Sequence, residues 1–319
     1  IDRVVEGESN VLWPGVPKYF AKTSGTTSGS KYIPISSDSV IYHIRSARNS
    51  ILAHIRNTGR SQFLNGKMIF LQGSPELEKT KYGIPTGRLS GISADFVPIY
   101  LQKNSMPSWK TNCIDDWEEK VTAIVEETFN SDMTVISGIP PWVQMYFEKL
   151  MDKTDKKSMS EVYPNFDLFI TGGVAFEPYQ ARFKELFGKN IPIIQTYPAS
   201  EGFFAYQDQM ESSDLLLLLD NGIFYEFIPT DLYFETSPPR LTIGEVKLGV
   251  NYALIISTNA GLWGYSIGDT VKFTSLKPYR IKVSGRIKHF ISAFGEHVIG
   301  SEVESAMEKT VSIHGGRIR

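Results

Sequence analysis

Between Lys67 and Gly202 the chain alternates short apolar runs with helical periods, and glycine or proline punctuates the breaks. Lys67 to Gln72 is strand-like and stops at Gly73-Ser74-Pro75. Met133 to Ser137 stops at Gly138-Ile139-Pro140-Pro141, Phe166 to Thr171 at Gly172-Gly173, and Ile191 to Tyr197 at Pro198-Ala199-Ser200-Glu201-Gly202. Amphipathic segments lie between them. Asp115-Asp116 caps one that carries Trp117, Val121, Ile124, Val125 and Phe129, with Glu118 and Glu119 at the end where the helix dipole favours acids. Pro140-Pro141 opens another through Trp142, Met145, Tyr146, Phe147 and Leu150, and Glu177 to Phe187, closed by Gly188, is a third. Strand, helix, strand, helix, strand is the pattern of a parallel sheet wrapped by helices, so this portion is predicted to be α/β.

From Phe203 the pattern changes to short strands separated by turns. Leu215 to Leu219, the turn dipeptide Asn221-Gly222 and Ile223 to Ile228 predict a hairpin. Gly244 to Leu248, Tyr252 to Thr258, Val271 to Thr274 and Tyr279 to Val283 continue as strands of an antiparallel sheet or small barrel, and Ser301 to Met307 begins a last helix. Gly73 to Ser108, rich in Gly, Pro and polar residues, reads as mostly irregular, and Lys153 to Lys157 as a solvated loop or helix end.

Upstream of the α/β portion, Thr23-Ser24-Gly25-Thr26-Thr27-Ser28-Gly29-Ser30-Lys31 concentrates hydroxyls, two glycines and a closing lysine. Glycines let backbone N–H groups turn toward oxygens, hydroxyls add short donors, and lysine adds a point charge, so the stretch suits a polyphosphate. Its spacing matches neither the G-x-x-x-x-G-K-[ST] loop nor G-x-G-x-x-G, and a flexible linker has the same composition. After the extended Tyr32-Ile33-Pro34-Ile35, the caps Ser36-Ser37-Asp38 lead into a helix. Its expected apolar face is Val40, Ile41, Ile44, Ala47, Ile51, Leu52 and Ile55, with Gly59 as its stop. His43 and His54 share a face of that helix, read as surface or interface histidines because no third ligand accompanies them. Arg45 and Arg48 are expected to be solvated or salt-bridged, with an acid substrate as the other reading for one of them.

Bulk properties narrow the partners. A net charge of −2 over 319 residues gives no electrostatic reason to expect nucleic acid or an anionic membrane. The single cysteine, Cys113, excludes an internal disulfide and a cysteine-built zinc site, and fits a reducing cytoplasm. No apolar run approaches the roughly 20 residues of a membrane span. Ile1-Asp2-Arg3 lacks both an initiator methionine and a signal layout, and reads as the middle of a longer chain.

Loops that leave the C-terminal ends of parallel strands share one edge, where ligands bind. Gly172-Gly173 and Pro198 to Gly202 are two such loops. Small residues let a flat base lie against the backbone, Tyr197 offers an aromatic face, and Glu201 a hard oxygen suited to magnesium with phosphates. Asp269, after Gly268, is placed to accept from both ribose hydroxyls. As plain structure, the glycines and Asp269 are turn residues and Arg286 a surface arginine.

Four stretches in order resemble the acyl-adenylate-forming superfamily: Thr23 to Lys31, Tyr197 to Gly202, Gly261-Leu262-Trp263-Gly264-Tyr265-Ser266-Ile267-Gly268-Asp269, and Ser284-Gly285-Arg286. More closely, with Phe169 to Tyr179, the chain is similar to the Gretchen Hagen auxin-responsive family of acyl acid amido synthetases in its bacterial form. The resemblance covers nearly the whole chain. It implies a ligase in which a carboxylic acid attacks the α-phosphate of ATP and the acyl-adenylate passes its acyl group to an amine, typically of an amino acid. It puts Thr23, Ser24, Gly25, Thr26, Thr27, Ser28 and Lys31 on the phosphates, with Lys31, Ser200 and Glu201 as catalytic residues. Ser200 lies near the α-phosphate and Glu201 on Mg2+. Gly172, Gly173, Val174, Thr196, Tyr197 and Ala199 surround the adenine, and Asp269 and Arg286 meet the ribose. Trp142, Val143, Phe203 and Phe204 are expected to line the acyl slot, with plain core as the other reading.

The implied layout is the large N-terminal domain of such an enzyme: residues 1–202 as the α/β nucleotide-binding portion, 203–285 as its antiparallel portion, and 286–319 as the hinge and the start of a C-terminal domain. The C-terminal cap with its lysine is expected to be absent, so this chain should bind nucleotide weakly or turn over slowly. The family commonly carries arginines where Gly264 and Ser266 stand, which predicts different ion pairing there, and Ala199 replaces a frequent serine. An acid–coenzyme A ligase of the same superfamily and a non-catalytic nucleotide-binding protein are the alternatives. A serine hydrolase is disfavoured because Gly25-Thr26-Thr27-Ser28-Gly29 lacks the central serine of G-x-S-x-G.

Overall fold

The computed structural model describes residues 1–25, 29–94, 96, 102–287, 291–293 and 296–298, and of residues 24–25, 29–30, 291–293 and 296–298 the backbone alone. Two compact units divide the chain: Ile1–Ser213 with Asn259–Gly261, and Asp214–Thr258 with Leu262–Arg319.

The first unit holds two sheets. In one, β1 (Tyr19–Gly25) pairs antiparallel with β2 (Gly29–Ile35) and parallel with β5 (Pro85–Gly87), which pairs with β4 (Glu78–Lys79). The other runs in the order β10-β9-β8-β7-β3-β6, from β3 (Lys67–Leu71), β6 (Ser105–Met106), β7 (Met133–Gly138), β8 (Leu168–Gly172), β9 (Ile193–Ala199) and β10 (Gly202–Gln207). Every pairing from β6 to β9 is parallel and β10 returns antiparallel, so the predicted α/β layout holds with one reversed strand. The stretch expected to be irregular contains β4, β5, β6 and a short helix, Leu89–Ala94.

The period of two along each strand sorts its side chains between two cores. Ile69, Leu71, Ile136 and Phe169 join Val121, Ile124, Val143, Phe147, Phe183 and Phe187, from helices Trp117–Thr128, Pro140–Thr154 and Gln180–Phe187. Met68, Val135, Leu168, Ile170 and Ile194 face the other way, onto Phe63 and the half-buried Ile51 and Ile55 of helix Ser37–Thr58. The caps are those expected. Asp116 accepts from the Glu119 N–H at 2.8 Å, Ser36 and Ser39 form a reciprocal capping box, and Gly59 and Gly188 end their helices in the left-handed conformation.

The buried face of helix Ser37–Thr58 is rotated from the expected apolar one: Val40 is buried and Ile51 and Ile55 pack on the core, but the rest of the expected face is not wholly covered. Ile41 and Leu52 are 62% and 51% exposed, while Ser39, His43, Ser46, Ser50 and His54 form the buried stripe. The stripe recurs at intervals of three and four residues, as a helix facing a surface must, and its three serines are small enough for close approach. Both histidines are therefore interface rather than surface residues. His54 sets Nδ1 3.4 Å from the sulfur of Met210 and its ring against Phe63.

Burial pushes the His43 imidazole down to about 4. Since an unfolded histidine titrates near 6.5, the unfolded chain binds the extra proton between those values. Stability is expected to be full above about pH 6.5 and to fall as pH drops toward about 4, by about 3 kcal/mol from this group. Urea titrations of wild type and His43→Met from pH 7.5 to 4.5 check it: the variant should lose less stability across this window.

In the second unit β12 (Ile223–Pro229), β13 (Asn251–Thr258), β14 (Tyr265–Leu276), β15 (Tyr279–Arg286) and β11 (Leu215–Leu217) form an antiparallel series in that order. β16 (Ile291–Ala293) and β17 (Glu296–Val298) pair separately. The hairpin predicted across Asn221-Gly222 does not form, since β11 pairs with β15 and β12 with β13. Gly222 has the positive φ, +69°, that its dipeptide favours, but it turns the chain between non-adjacent strands. Side-chain packing selects the pairing: Phe227 of β12 meets Tyr252 of β13 and Phe273 of β14 edge to face.

Candidate active site

At the C-terminal ends of β8 and β9 there is no room for a side chain at Gly172. Gly172 pairs with Thr196 in parallel register, and a Cβ at Gly172 would stand 2.5 Å from the Thr196 carbonyl oxygen and 2.6 Å from its hydroxyl. The Thr196 hydroxyl donates to the Thr171 carbonyl at 3.0 Å, tying the two strands. Gly173 follows at φ +83°, and Val174 is exposed. Only a glycine fits at position 172 without displacing Thr196. Gly172→Ala is expected to destabilise by about 1–3 kcal/mol, because the closest contact is with the fixed Thr196 carbonyl. Thermal melts of the two proteins check it.

Beyond Thr196, β9 presents Tyr197 and Ala199 before the turn at Ser200 and Glu201 into β10. Tyr197 is buried and sets its ring edge-on to Phe204 at 5.0 Å. Ser200 and Glu201 are half-buried on the turn. Magnesium in nucleotide sites takes one or two carboxylates and fills its remaining positions with phosphates and water, and Glu201 is a donor of that type.

The described residues of the hydroxyl-rich stretch are the end of β1 and the start of β2. Thr23 lies opposite Lys31 in register and Lys31 is exposed. Thr26, Thr27 and Ser28 lie outside the described residues, as do the side chain of Ser24 and any contact of Gly25 beyond its backbone.

Among the residues expected to line an acyl slot, Val143 and Phe204 are wholly buried and Phe203 nearly so. Trp142 is half-buried and stacks on Trp117, with ring centroids 4.3 Å apart and planes at 30°. The Trp117 indole nitrogen is buried with no hydrogen-bond partner among the described residues. Trp117 was not among the expected site residues. Its signal was its position in the first turn of the helix preceding β7, as Trp142 is in the first turn of the helix following it.

In the second unit, the Arg286 guanidinium donates from Nε to Asp269 Oδ1 at 2.7 Å, across the β14–β15 register pair Asp269↔Arg286. Around Gly264 and Ser266, Arg240 and Tyr233 supply polar groups. Arg240 bonds Glu226 at 3.3 Å, and its guanidinium lies 2.8 Å from where a Gly264 Cβ would be. The Tyr233 hydroxyl lies 2.9 Å from Ser266 Oγ. Sequence spacing carried no signal for Arg240 or Tyr233, which come from the connection between β12 and β13.

The chain matches the GH3 family N-terminal domain over residues 1–113 and the GH3 family central domain over residues 216–286, together more than half its length. It is 23% identical over 345 aligned positions to the jasmonoyl–L-amino acid synthetase JAR4 of Nicotiana attenuata, covering 85% of this chain and 58% of that protein. The solved structure of the AtGH3.15 acyl acid amido synthetase with 2,4-DB superposes with a TM-score of 0.76 at 14% identity, over 98% of this chain and 64% of that one. A 2-hydroxyisobutyryl-CoA ligase, solved with 2-HIB-AMP and coenzyme A, superposes at 0.60 and 12% identity, over 94% and 64%. The chain therefore spans about three fifths of the length of these relatives. Among the described residues no helix is long and apolar enough to cross a membrane. The fold is the one shared by acyl acid amido synthetases and acyl-CoA ligases, and by its two domain matches the chain belongs to the Gretchen Hagen 3 (GH3) family.

Proposed function

We propose that this chain is the nucleotide-binding part of an ATP-dependent acyl acid amido synthetase acting in the cytoplasm on a small carboxylic acid and an amino acid. The observation that carries the reading is the pair of loops at Gly172-Gly173 and at Tyr197 to Glu201, which leave adjacent parallel strands at their C-terminal edge, with Gly172 packed too closely on Thr196 for any side chain. Such an edge is where α/β sheets receive nucleotides, and GH3 membership supplies the reaction class.

In this reading an acid carboxylate oxygen bonds to the α-phosphorus of ATP while the bond to the bridging oxygen breaks and pyrophosphate leaves. The amino acid's nitrogen, as free amine, then bonds to the acyl carbon, AMP leaves with the bond electrons, and the amine's proton passes to solvent. An ionised carboxylate is already a nucleophile, so the site needs positioning and charge neutralisation more than a general base. Lys31 with Thr23, Ser24, Gly25, Thr26, Thr27 and Ser28 takes the phosphates, and Ser200 the α-phosphate. Glu201 holds Mg2+, which supplies further charge neutralisation. Gly172, Gly173, Val174, Thr196, Tyr197 and Ala199 receive adenine, and Asp269 and Arg286 the ribose. Trp142 borders the acyl slot with Val143, Phe203 and Phe204 behind it.

ATP–pyrophosphate exchange by the full-length protein against a panel of carboxylic acids tests the reading, followed by amino acids or coenzyme A as acceptor. Acid-dependent exchange with amide formation is the expected result. Thioester formation would select the coenzyme A ligase, and no exchange with any acid would leave a nucleotide-binding protein.

A further inference from the structure

The β14–β15 ladder contains an extra residue beside the Asp269–Arg286 pair. Thr270 faces Gly285 and Val271 faces Val283, so Ser284 is the bulged residue between them. Gly285 follows with φ +144°, a conformation other residues rarely adopt. The Ser284 hydroxyl shares hydrogen bonds with Asn251 Oδ1 of β13 and, at 3.0 Å, with Thr270 Oγ1. Thr270 is buried, and the Asn251 Nδ2 has no partner among the described residues.

Three side chains from three strands therefore converge on a bulge one residue away from the carboxylate. A bulge re-aims the residues that follow it, and those here are Gly285 and Arg286. Without an anchor the extra residue can be drawn back into the ladder or passed beyond Arg286, and either slip would carry Arg286 off Asp269. The Ser284 hydroxyl is the anchor, because it ties the bulge both to its own partner strand and to the strand beyond.

We propose that Ser284, held by Thr270 and Asn251, is a positioning residue that fixes the Asp269–Arg286 pair in the geometry that receives the ribose. This rests on the reading of Asp269 as the ribose acceptor. In the free protein Arg286 holds Oδ1 of Asp269, so the guanidinium orients the carboxylate for incoming hydroxyl donors. Loss of the Ser284 hydroxyl should then act on ATP affinity through the ribose and leave the chemical step nearly unchanged.

The test is exchange kinetics of the full-length protein with ATP and with 2′,3′-dideoxy-ATP. Ser284→Ala is expected to raise KM for ATP about tenfold, the effect of losing one charge-assisted hydrogen bond, with kcat changed less than about threefold. The two proteins should have the same KM for the dideoxy nucleotide, which lacks the donors. Ser284→Thr, which restores the hydroxyl, should return KM for ATP toward the wild-type value. If Ser284→Ala does not fold, Thr270→Val removes the other hydroxyl isosterically and should show the same nucleotide-selective effect. An unchanged KM, or an equal loss with both nucleotides, overturns the proposal. Asp269→Asn is run alongside. If it raises KM for ATP while Ser284→Ala does not, only the positioning role fails, and if it leaves KM unchanged the ribose reading falls and the proposal with it.

Discussion

Glu201→Gln is expected to lower acid-dependent ATP–pyrophosphate exchange by about 10²- to 10³-fold. The substitution keeps the shape of the side chain and removes the charge that would hold Mg2+ beside the phosphates. Glu201 is half-buried on the turn between β9 and β10, whose strands are paired on both sides of it, so the fold should tolerate the change. Exchange rates measured over a range of Mg2+ concentrations, with thermal melts of both proteins, check the prediction. A melt within about a degree of wild type together with unchanged exchange would remove Glu201 from the metal site. Partial recovery at high Mg2+ would be the mark of weakened metal affinity.

The largest effect on stability is expected at Phe147. Its ring is fully buried and meets Tyr146, Phe166, Phe183 and Phe187, with centroid separations of 5.9 to 6.1 Å. Phe147→Ala should cost about 3–5 kcal/mol, part of it the lost transfer energy and part the cavity left among rings that cannot all close in. Phe147→Leu should cost less, because it keeps most of the volume. Denaturant titrations check both, read as a shift of the midpoint at constant slope. A loss for Phe147→Ala no larger than for Phe147→Leu would mean that neighbouring rings refill the space.

Much of the first unit was legible in residue order. Strand ends coincide with glycines and prolines because those residues break both ladder and helix, and the caps at Ser36 and Asp116 act over three residues. The loops at Gly172 and Ser200-Glu201 were legible for the same reason, as local interruptions at the ends of buried runs. Less legible were features set by distant partners. The helical apolar face containing Ile41 and Leu52 obeys the right period, yet burial goes to the serine and histidine stripe. Periodicity reports which residues share a face; how closely that face can approach a sheet depends on side-chain size on both sides. Likewise Asn221-Gly222 has turn chemistry, but the partner of each flanking strand is chosen by cross-strand packing.

The sequence by itself determined the alternation of strand and helix, the change to antiparallel strands after Phe203, and the composition of the hydroxyl-rich and Glu201 loops. These follow from backbone propensity and short-range capping, which act within a few residues. Tertiary structure alone decided that Gly172 lies against the Thr196 carbonyl, that Trp117 stacks on Trp142, that Arg240 reaches the space beside Gly264, and that Ser284 bulges to meet Asn251 and Thr270. Each is a contact between residues more than ten positions apart. Such contacts depend on which surfaces close-pack, and that is settled only when whole elements come together and exclude water.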